Sequence, residues 1–425
     1  MSWYNTQFEL KSQNSYSLAG LARQAILLKA EVVVVGGGST GASVAFHLAK
    51  AEQRNVILLE KDFLGFGATG RTAGIVRCHY PHRETTKMAL KSLEFFENFE
   101  QVVGGRSGFT KTGLLVIVSE TDESKLRKIT EMQRDVGVDV KGPLSKDEIL
   151  QIQPHFALQD IVAGSWEPRA GYADSSAIVT SLASAAEKMG VKVLQKTKVT
   201  GVNLSAGRIE SLMTDKGRID TKKVVCATGA WSQQIGEMMS TRFPIRRRRS
   251  KVALIKRPLD FGTTHPIIFD VPGPDTYYRP DGEKTIVGGA AATPVNASVD
   301  PDKFNEALEP DEARSFISKA IRRFPIFEKA FYVGGWAGIS DDTPDGYPIL
   351  SELPTVQGFY CAFGMSGHGF KLAPMMGKAM AELIVDGRSK DFNLEEYRYS
   401  RFEEGNPIKV PLEYSWGQAA PPTAH

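Results

Sequence analysis

Residues 31–50, EVVVVGGGSTGASVAFHLAK, limit the possible folds of this chain more than any other stretch. Four valines in a row, Val32 to Val35, predict a short buried strand, because β-branched side chains suit a pleated backbone. Gly36, Gly38 and Gly41 follow at once in GxGxxG spacing, and Ala42 to Lys50 has helical composition. Strand, glycine turn and helix in this order form a phosphate cradle. The glycines permit a tight turn and close backbone approach, and the helix N-terminus offers free N–H groups and a positive dipole end. A second strand, Asn55 to Leu59, ends in Glu60. That acid stands at the offset of about 20 residues expected of a ribose-binding carboxylate, and it disfavours a 2′-phosphate. The unit predicts a bound dinucleotide other than NADP.

The stretch after Glu60 separates FAD from NAD. Gly65 to Gly74, GFGATGRTAG, is a long loop of small residues able to wrap a bulky flavin nucleotide, whereas an NAD enzyme would continue into further βα units. The cofactor domain then resumes later in the chain. Val191 to Val193 and Lys198 to Val202 read as short strands, and Lys223 to Gly229, KVVCATG, reads as a buried strand with a glycine-bearing end. Near the C-terminus FGMSGHGFKLAP crowds glycines beside Ser366, His368 and Lys371, a pattern that implies close backbone approach to something. It is not a hydrolase elbow, because the residue two after Ser366 is His368 and not glycine. Between these segments, Gly113 to Ser119, Val252 to Ile255 and Thr285 to Val287 suggest a second, largely antiparallel sheet.

At 425 residues the chain exceeds one ordinary core, and 42% hydrophobic with 24% charged residues suits a globular protein. A net charge of +3 argues against a nucleic-acid partner. The run Arg246 to Arg249 would place two arginines on each face of a strand and reads as a solvated or subunit-facing edge. Three scattered cysteines, Cys78, Cys226 and Cys361, fit neither a disulfide framework nor a zinc site, and no metal motif occurs. The first 30 residues lack the pattern of a secretory signal, and no apolar run nears the roughly 20 residues of a membrane span, so a soluble, cytoplasmic protein is expected.

VVVVGGGSTGASVAFHLAK, GATGRTAGIVRCHY, CATGAWS, YYRPDGEKTIVGG, TPDGYPIL and GMSGHGFKLAP together resemble the D-amino-acid-oxidase-like family of flavoproteins, from about residue 30 to 400. That family includes sarcosine oxidases, glycine oxidase, dimethylglycine dehydrogenases and the β subunits of heteromeric sarcosine oxidase and proline dehydrogenase. The fold expected is α/β, with a Rossmann-like FAD domain interleaved with an α+β substrate domain on a largely antiparallel sheet. Residues 30–105, 160–240 and 330–400 would form the first domain and 106–159 and 241–329 the second, flanked by an extension, 1–29, and a C-terminal tail, 401–425, that is loose from Tyr414 on.

The resemblance implies FAD contacts from Gly36, Gly38, Ser39, Thr40 and Gly41, from Glu60 and Lys61, and from Ala68, Thr69, Gly70, Arg71, Thr72 and Ala73. It implies others from Val199, Ala227, Thr228, Gly229 and Trp231, and from Gly338, Gly364, Gly367, His368, Gly369, Phe370 and Lys371. Backbone N–H groups of Gly364 to Gly369 would face the pyrimidine end of the flavin ring. Arg77 and Lys371 would hold a substrate carboxylate, with His368 and Tyr278 beside them; of Tyr277 and Tyr278, neighbours in one strand, only one can face the pocket. Where relatives attach FAD covalently this chain has Gly338 and Arg71, so a non-covalent cofactor is expected. The stretch that tethers FMN in some relatives, here Arg169 to Ser176, has no histidine. An oxygen-activating lysine of the oxidases falls at Val287, with Lys284 displaced, which favours an acceptor other than O2.

The function implied is oxidation of the C–N bond of a small secondary or tertiary amino acid of sarcosine, dimethylglycine or proline type, by hydride transfer to flavin N5. The acceptor would be O2, a quinone or a carrier protein, in a homo- or hetero-oligomer. Two further readings are a catalytic subunit of a heteromeric dehydrogenase and a flavin-binding partner that has lost catalysis.

Overall fold

A computed structural model describes residues 27–414 except 54, 263, 274–275 and 290–297. The valine run lies in the middle of a six-stranded sheet, ordered Lys192–Leu194, Val56–Leu59, Val32–Val35, Lys223–Cys226, Phe359–Phe363 and Ile349–Glu352. The first five strands are parallel and the last is antiparallel. Both faces are covered, which is why the strand is apolar throughout rather than alternating. Val32 and Val34 share a core with the helices Ser39–Lys50, Ser175–Lys188 and Gly369–Asp386. Val33 and Val35 share another with a small sheet that contains Val199–Ser205, Arg208–Thr214 and Gly217–Asp220.

The second sheet has eight strands, ordered Phe331–Asp342, Arg246–Lys256, Lys284–Gly289, Thr276–Asp281, Ile267–Asp270, Leu114–Val118, Ala163–Glu167 and Lys141–Leu144. Only Ile267–Asp270 and Leu114–Val118 pair in parallel. Strand alternation again sorts the side chains. Leu115, Ile117, Tyr278 and Val287 share a core with Phe316 and Ala320 of the helix Pro310–Arg323. Leu114, Val116, Val252 and Ile286 face the other way, toward Ala73 and Ile75 of the cofactor loop.

Ala163–Glu167 and Phe331–Asp342 belong to this larger sheet, although both fall in segments expected on the cofactor side. A short apolar run does not encode its pairing partner. Phe331–Asp342 thereby carries Ser340 and Asp341 from one sheet to the edge of the other.

Both chain ends differ from expectation where they are described. Leu28–Lys29 is a strand, paired with Ile219 and Asp220, and the rest of the extension lies outside the described residues. The tail is packed as far as residue 414, the one described residue of the stretch expected to be loose. Arg401 is fully buried against Asp345, and Tyr414 is buried as well; residues 415–425 lie outside the described residues. The basic run is no solvated edge either. Arg248 pairs with Asp342, Arg249 pairs with Glu312, and Arg247 donates to Ser298. Two opposite faces are served, as a strand requires, and all four arginines are half-buried, Arg249 and Arg248 against carboxylates of helix Pro310–Arg323 and of the strand Phe331–Asp342. Among the described residues no helix is long and apolar enough to cross a membrane.

Candidate active site

The turn after Val35 is built by steric necessity. Gly36 has φ +111, and a Cβ there would overlap the Ala227 carbonyl oxygen. A Cβ on Gly41 would overlap the carbonyl oxygen of Gly36, so the helix could not start so close to the strand. Gly38 is the N-cap of Ser39–Lys50 and brings no side chain to cap it. Thr69 supplies one partner, accepting from Ser39 N–H at 3.0 Å. The buried Glu60 carboxylate accepts from Gly37 N–H at 2.8 Å and Asp62 N–H at 2.7 Å, and burial pushes its pKa up. We expect Gly41→Ala to cost about 1–3 kcal/mol by overpacking. A lower thermal midpoint and a lower flavin-to-protein ratio would be the measured signs.

An elongated cavity of about 190 Å³ runs along this turn. Glu60, Lys198 and Val199 line it, as do Gly36, Gly38, Ser39 and Thr40, and Gly367, Gly369 and Phe370. Lys61, Thr69, Ala227, Thr228, Gly229 and Trp231 border it too. Lys61 is held by Asp302 at 2.6 Å and lies 4.0 Å from the Trp231 ring centroid. A second cavity, about 510 Å³, adjoins the first. Ala68, Thr72, Ser340, Gly367 and Phe370 border both. A phosphate cradle, a buried acid and a continuing hollow fit an extended dinucleotide whose aromatic end reaches this junction.

Arg77 and Lys371 both border the second cavity, only 9% and 8% exposed. The Arg77 guanidinium lies between the rings of Tyr80 and Phe269, 4.3 and 4.7 Å from their centroids. One of its nitrogens donates to the His79 carbonyl, and Nε is buried without a hydrogen bond. Lys371 Nζ donates to the Gly367 carbonyl at 3.1 Å. Burial, and then Arg77, hold the lysine well below its usual pKa. Among the described residues neither cation meets a carboxylate. His368 is kept neutral by burial and by Lys371, Arg77 and Arg248, and its Nδ1 lacks a hydrogen bond. Desolvated cations left without anions form a ready anion site.

Four expectations need correction. Tyr278 is not at the cavity: it is 0% exposed, in the core under helix Pro310–Arg323, and its hydroxyl donates to the Lys319 carbonyl at 3.1 Å. Its neighbour Tyr277 borders the cavity instead, because its strand turns alternate residues to opposite faces. Val287 pairs with Tyr278 and shares that core, so it says nothing about oxygen, and Lys284 sits at the far end of its strand. On the neighbouring strand Lys251 stands beside the cavity and is held by Glu312 at 2.6 Å.

The glycine loop also differs. Gly364 and Met365 N–H donate to the Asp341 carboxylate, Ser366 N–H to the Asp341 carbonyl, and His368 N–H to Met365. These four donors brace the loop rather than point at a ring; Gly367 is the loop residue that borders both cavities. Gly41, Gly70 and Gly364 line neither cavity; Gly70 donates to the Gly65 carbonyl within the wrapping loop. Arg71, Ala73 and Gly338 border only the second cavity, and Arg71 is paired with Glu306 at 2.8 Å.

Asp341, Arg248, Trp336 and Tyr414 at these cavities were not foreseen. Burial raises the Asp341 pKa to about 6. The paired acids of GISDDTPDG were the one sequence sign of it.

Comparison with known proteins agrees with this geometry. A profile for the family described as FAD dependent oxidoreductase matches residues 31–383. The pyruvate dehydrogenase phosphatase regulatory subunit of Mus musculus is 28% identical over 92% of this chain and 45% of its own. Sarcosine oxidase subunit beta of an Arthrobacter species is 28% identical, covering 89% of this chain and 92% of its own. The crystal structure of L-proline dehydrogenase from P. horikoshii superposes with a TM-score of 0.81 and 29% identity, covering 90% of this chain and all of that one. The chain spans under half the length of the first curated relatives it matches.

Proposed function

The chain belongs to the FAD dependent oxidoreductase family, and on that premise we propose that it oxidises the C–N bond of a small secondary or tertiary amino acid, using FAD held non-covalently. The observation that carries this is the pair of buried cations, Arg77 and Lys371, on a cavity that adjoins the dinucleotide groove. Such a pair suits a substrate carboxylate.

The fit of the groove to FAD rests on Gly36, Gly38 and Glu60. Bound there, FAD would accept the hydride from the carbon next to nitrogen, and water hydrolyses the imine product. This chain's residues do the rest. Arg77 and Lys371 hold the carboxylate and so fix where the reacting C–H lies. Their charge also disfavours an ammonium nearby, which keeps the substrate amine neutral. Phe269, Tyr277 and Trp336 give the second cavity part of its apolar lining. Gly338 offers no side chain for covalent attachment and Arg71 is engaged by Glu306. Acid denaturation should therefore release all yellow colour into the supernatant, and colour retained in the washed pellet would refute non-covalent binding.

The names of two similar proteins, L-proline dehydrogenase and sarcosine oxidase subunit beta, support the substrate class. The latter name also favours a second reading, a catalytic subunit within a larger complex. The three free thiols support a reducing, cytoplasmic setting. Anaerobic bleaching of the flavin by a panel of sarcosine, dimethylglycine and proline tests the proposal. Bleaching by one of them is the expected result. A flavin that stays yellow with the whole panel would overturn it and favour a non-catalytic partner role, such as the name of the phosphatase regulatory subunit suggests.

Carboxylate binding should also draw in a proton. Burial and Arg77 depress Lys371 below its usual pKa, and an anion beside it raises that value again. Affinity for a carboxylate should therefore fall as pH rises, and calorimetry in buffers of different ionisation enthalpy should show proton uptake. Uptake that persists in Lys371→Met would assign it elsewhere.

A further inference from the structure

Tyr414 borders the second cavity, and we infer that it is a specificity-determining residue that sets how large an amino acid the cavity accepts. This rests on the amino-acid reading above. Tyr414 is only 7% exposed and borders the cavity beside Arg77 and Tyr80. Its ring stacks on that of His79, 8° from parallel with centroids 5.8 Å apart. It therefore forms a wall next to the group that would hold the carboxylate.

A chain of hydrogen bonds sets its orientation. The Glu167 carboxylate accepts from Gln133 Nε2 at 2.6 Å. Gln133 Oε1 is then the acceptor for His79, so Nδ1 carries the proton at 3.1 Å. Burial and Arg77 keep His79 neutral, with its pKa lowered to about 3. Nε2 must then accept, and the Tyr414 hydroxyl donates to it at 2.9 Å. Every donor in the series has a fixed direction, so the phenol is held in one pose.

The segment leading to Tyr414 is anchored to another residue of the same cavity. Arg401 donates to both oxygens of the buried Asp345, at 2.7 and 3.0 Å, and Ile408 N–H donates to it at 3.0 Å. Asp345 itself borders the cavity. Two fixed points, one at each end of the segment, make Tyr414 a rigid boundary rather than a passing contact. A rigid ring discriminates by size because a larger substituent must displace it.

Propionate and benzoate, two carboxylates of different size that are not oxidised, test this. Each is titrated into the purified full chain, followed by perturbation of the flavin absorption band and by tryptophan fluorescence. Tyr414→Ala should shift the benzoate-to-propionate affinity ratio toward benzoate by roughly tenfold, and Tyr414→Trp should shift it the other way. If the alanine variant does not fold, the tryptophan variant carries the test alone. A ratio unchanged in the folded variants, with wild type binding both acids, overturns the role of Tyr414 and leaves the carboxylate site standing. Failure of both acids to bind the wild type overturns the carboxylate site first and this inference with it.

Discussion

Lys371→Met and Arg77→Met should each weaken the binding of an amino-acid substrate by roughly 2–5 kcal/mol, the usual cost of removing one partner of a desolvated charge pair. Most of the loss should appear in affinity, because the carboxylate is charged in the ground and transition states alike. The double variant should lose less than the sum, since both cations serve one group. An amine lacking the carboxylate is the control, and its flavin reduction rate should be little changed. If preference for the acid survives in both single variants, the anion site lies elsewhere.

Stability should move the opposite way for the lysine. A lysine whose pKa is lowered in the folded state binds its proton less tightly there than in the unfolded chain. Between its lowered pKa and its usual one, the unfolded state therefore holds more protons, and stability rises with pH across that window. Lys371→Met removes this burden with a side chain of similar length. We expect it to raise the thermal midpoint at neutral pH, and the gain to shrink as pH approaches the ordinary lysine range. Lost binding with gained stability marks a residue kept for function, and a destabilised Lys371→Met would mark a structural one.

The second large effect lies away from the cavity. Arg323 and Asp270, 1% and 2% exposed, pair at 2.8 Å. Arg323 also meets Asp160 at 3.0 Å and the Ala157 carbonyl at 2.5 Å. The pair ties helix Pro310–Arg323 to the strand Ile267–Asp270, which carries Phe269 against Arg77. Arg323→Met should cost about 3–5 kcal/mol, because it leaves a buried carboxylate without its cation. Denaturant unfolding should show a lower midpoint with an unchanged slope. Replacing both residues by apolar ones should recover much of the loss. A double variant as unstable as Arg323→Met would mean that the pair itself, and not the orphaned charge, supplies the stability.

How far the site was legible depended on distance along the chain. The cofactor turn and Glu60 are local: strand, glycines and helix lie within 20 residues, Gly36 has a positive φ, and Gly41 must leave room for the Gly36 carbonyl. Arg77 and Lys371 could be named through resemblance, and the fold brings both to one cavity. Tyr278 was the wrong tyrosine of a neighbouring pair, because the alternation of a strand is readable but its phase against a distant cavity is not. Val287 failed for the same reason, with the same strand pairing.

By itself, then, the amino-acid order determined the parallel βαβ unit, its glycine turn and the acid beyond it, since short-range sterics and β-branched side chains leave few alternatives. It also determined that a second, largely antiparallel sheet exists. Tertiary structure alone decided which sheet took the strands Ala163–Glu167 and Phe331–Asp342. It decided that Asp341 braces the glycine loop, that Arg248 and Arg249 find carboxylates rather than water, and that Tyr414 borders the cavity. Each of these joins groups far apart in sequence. Their partners are selected by burial and charge pairing once the two sheets have packed, and no local propensity encodes that choice.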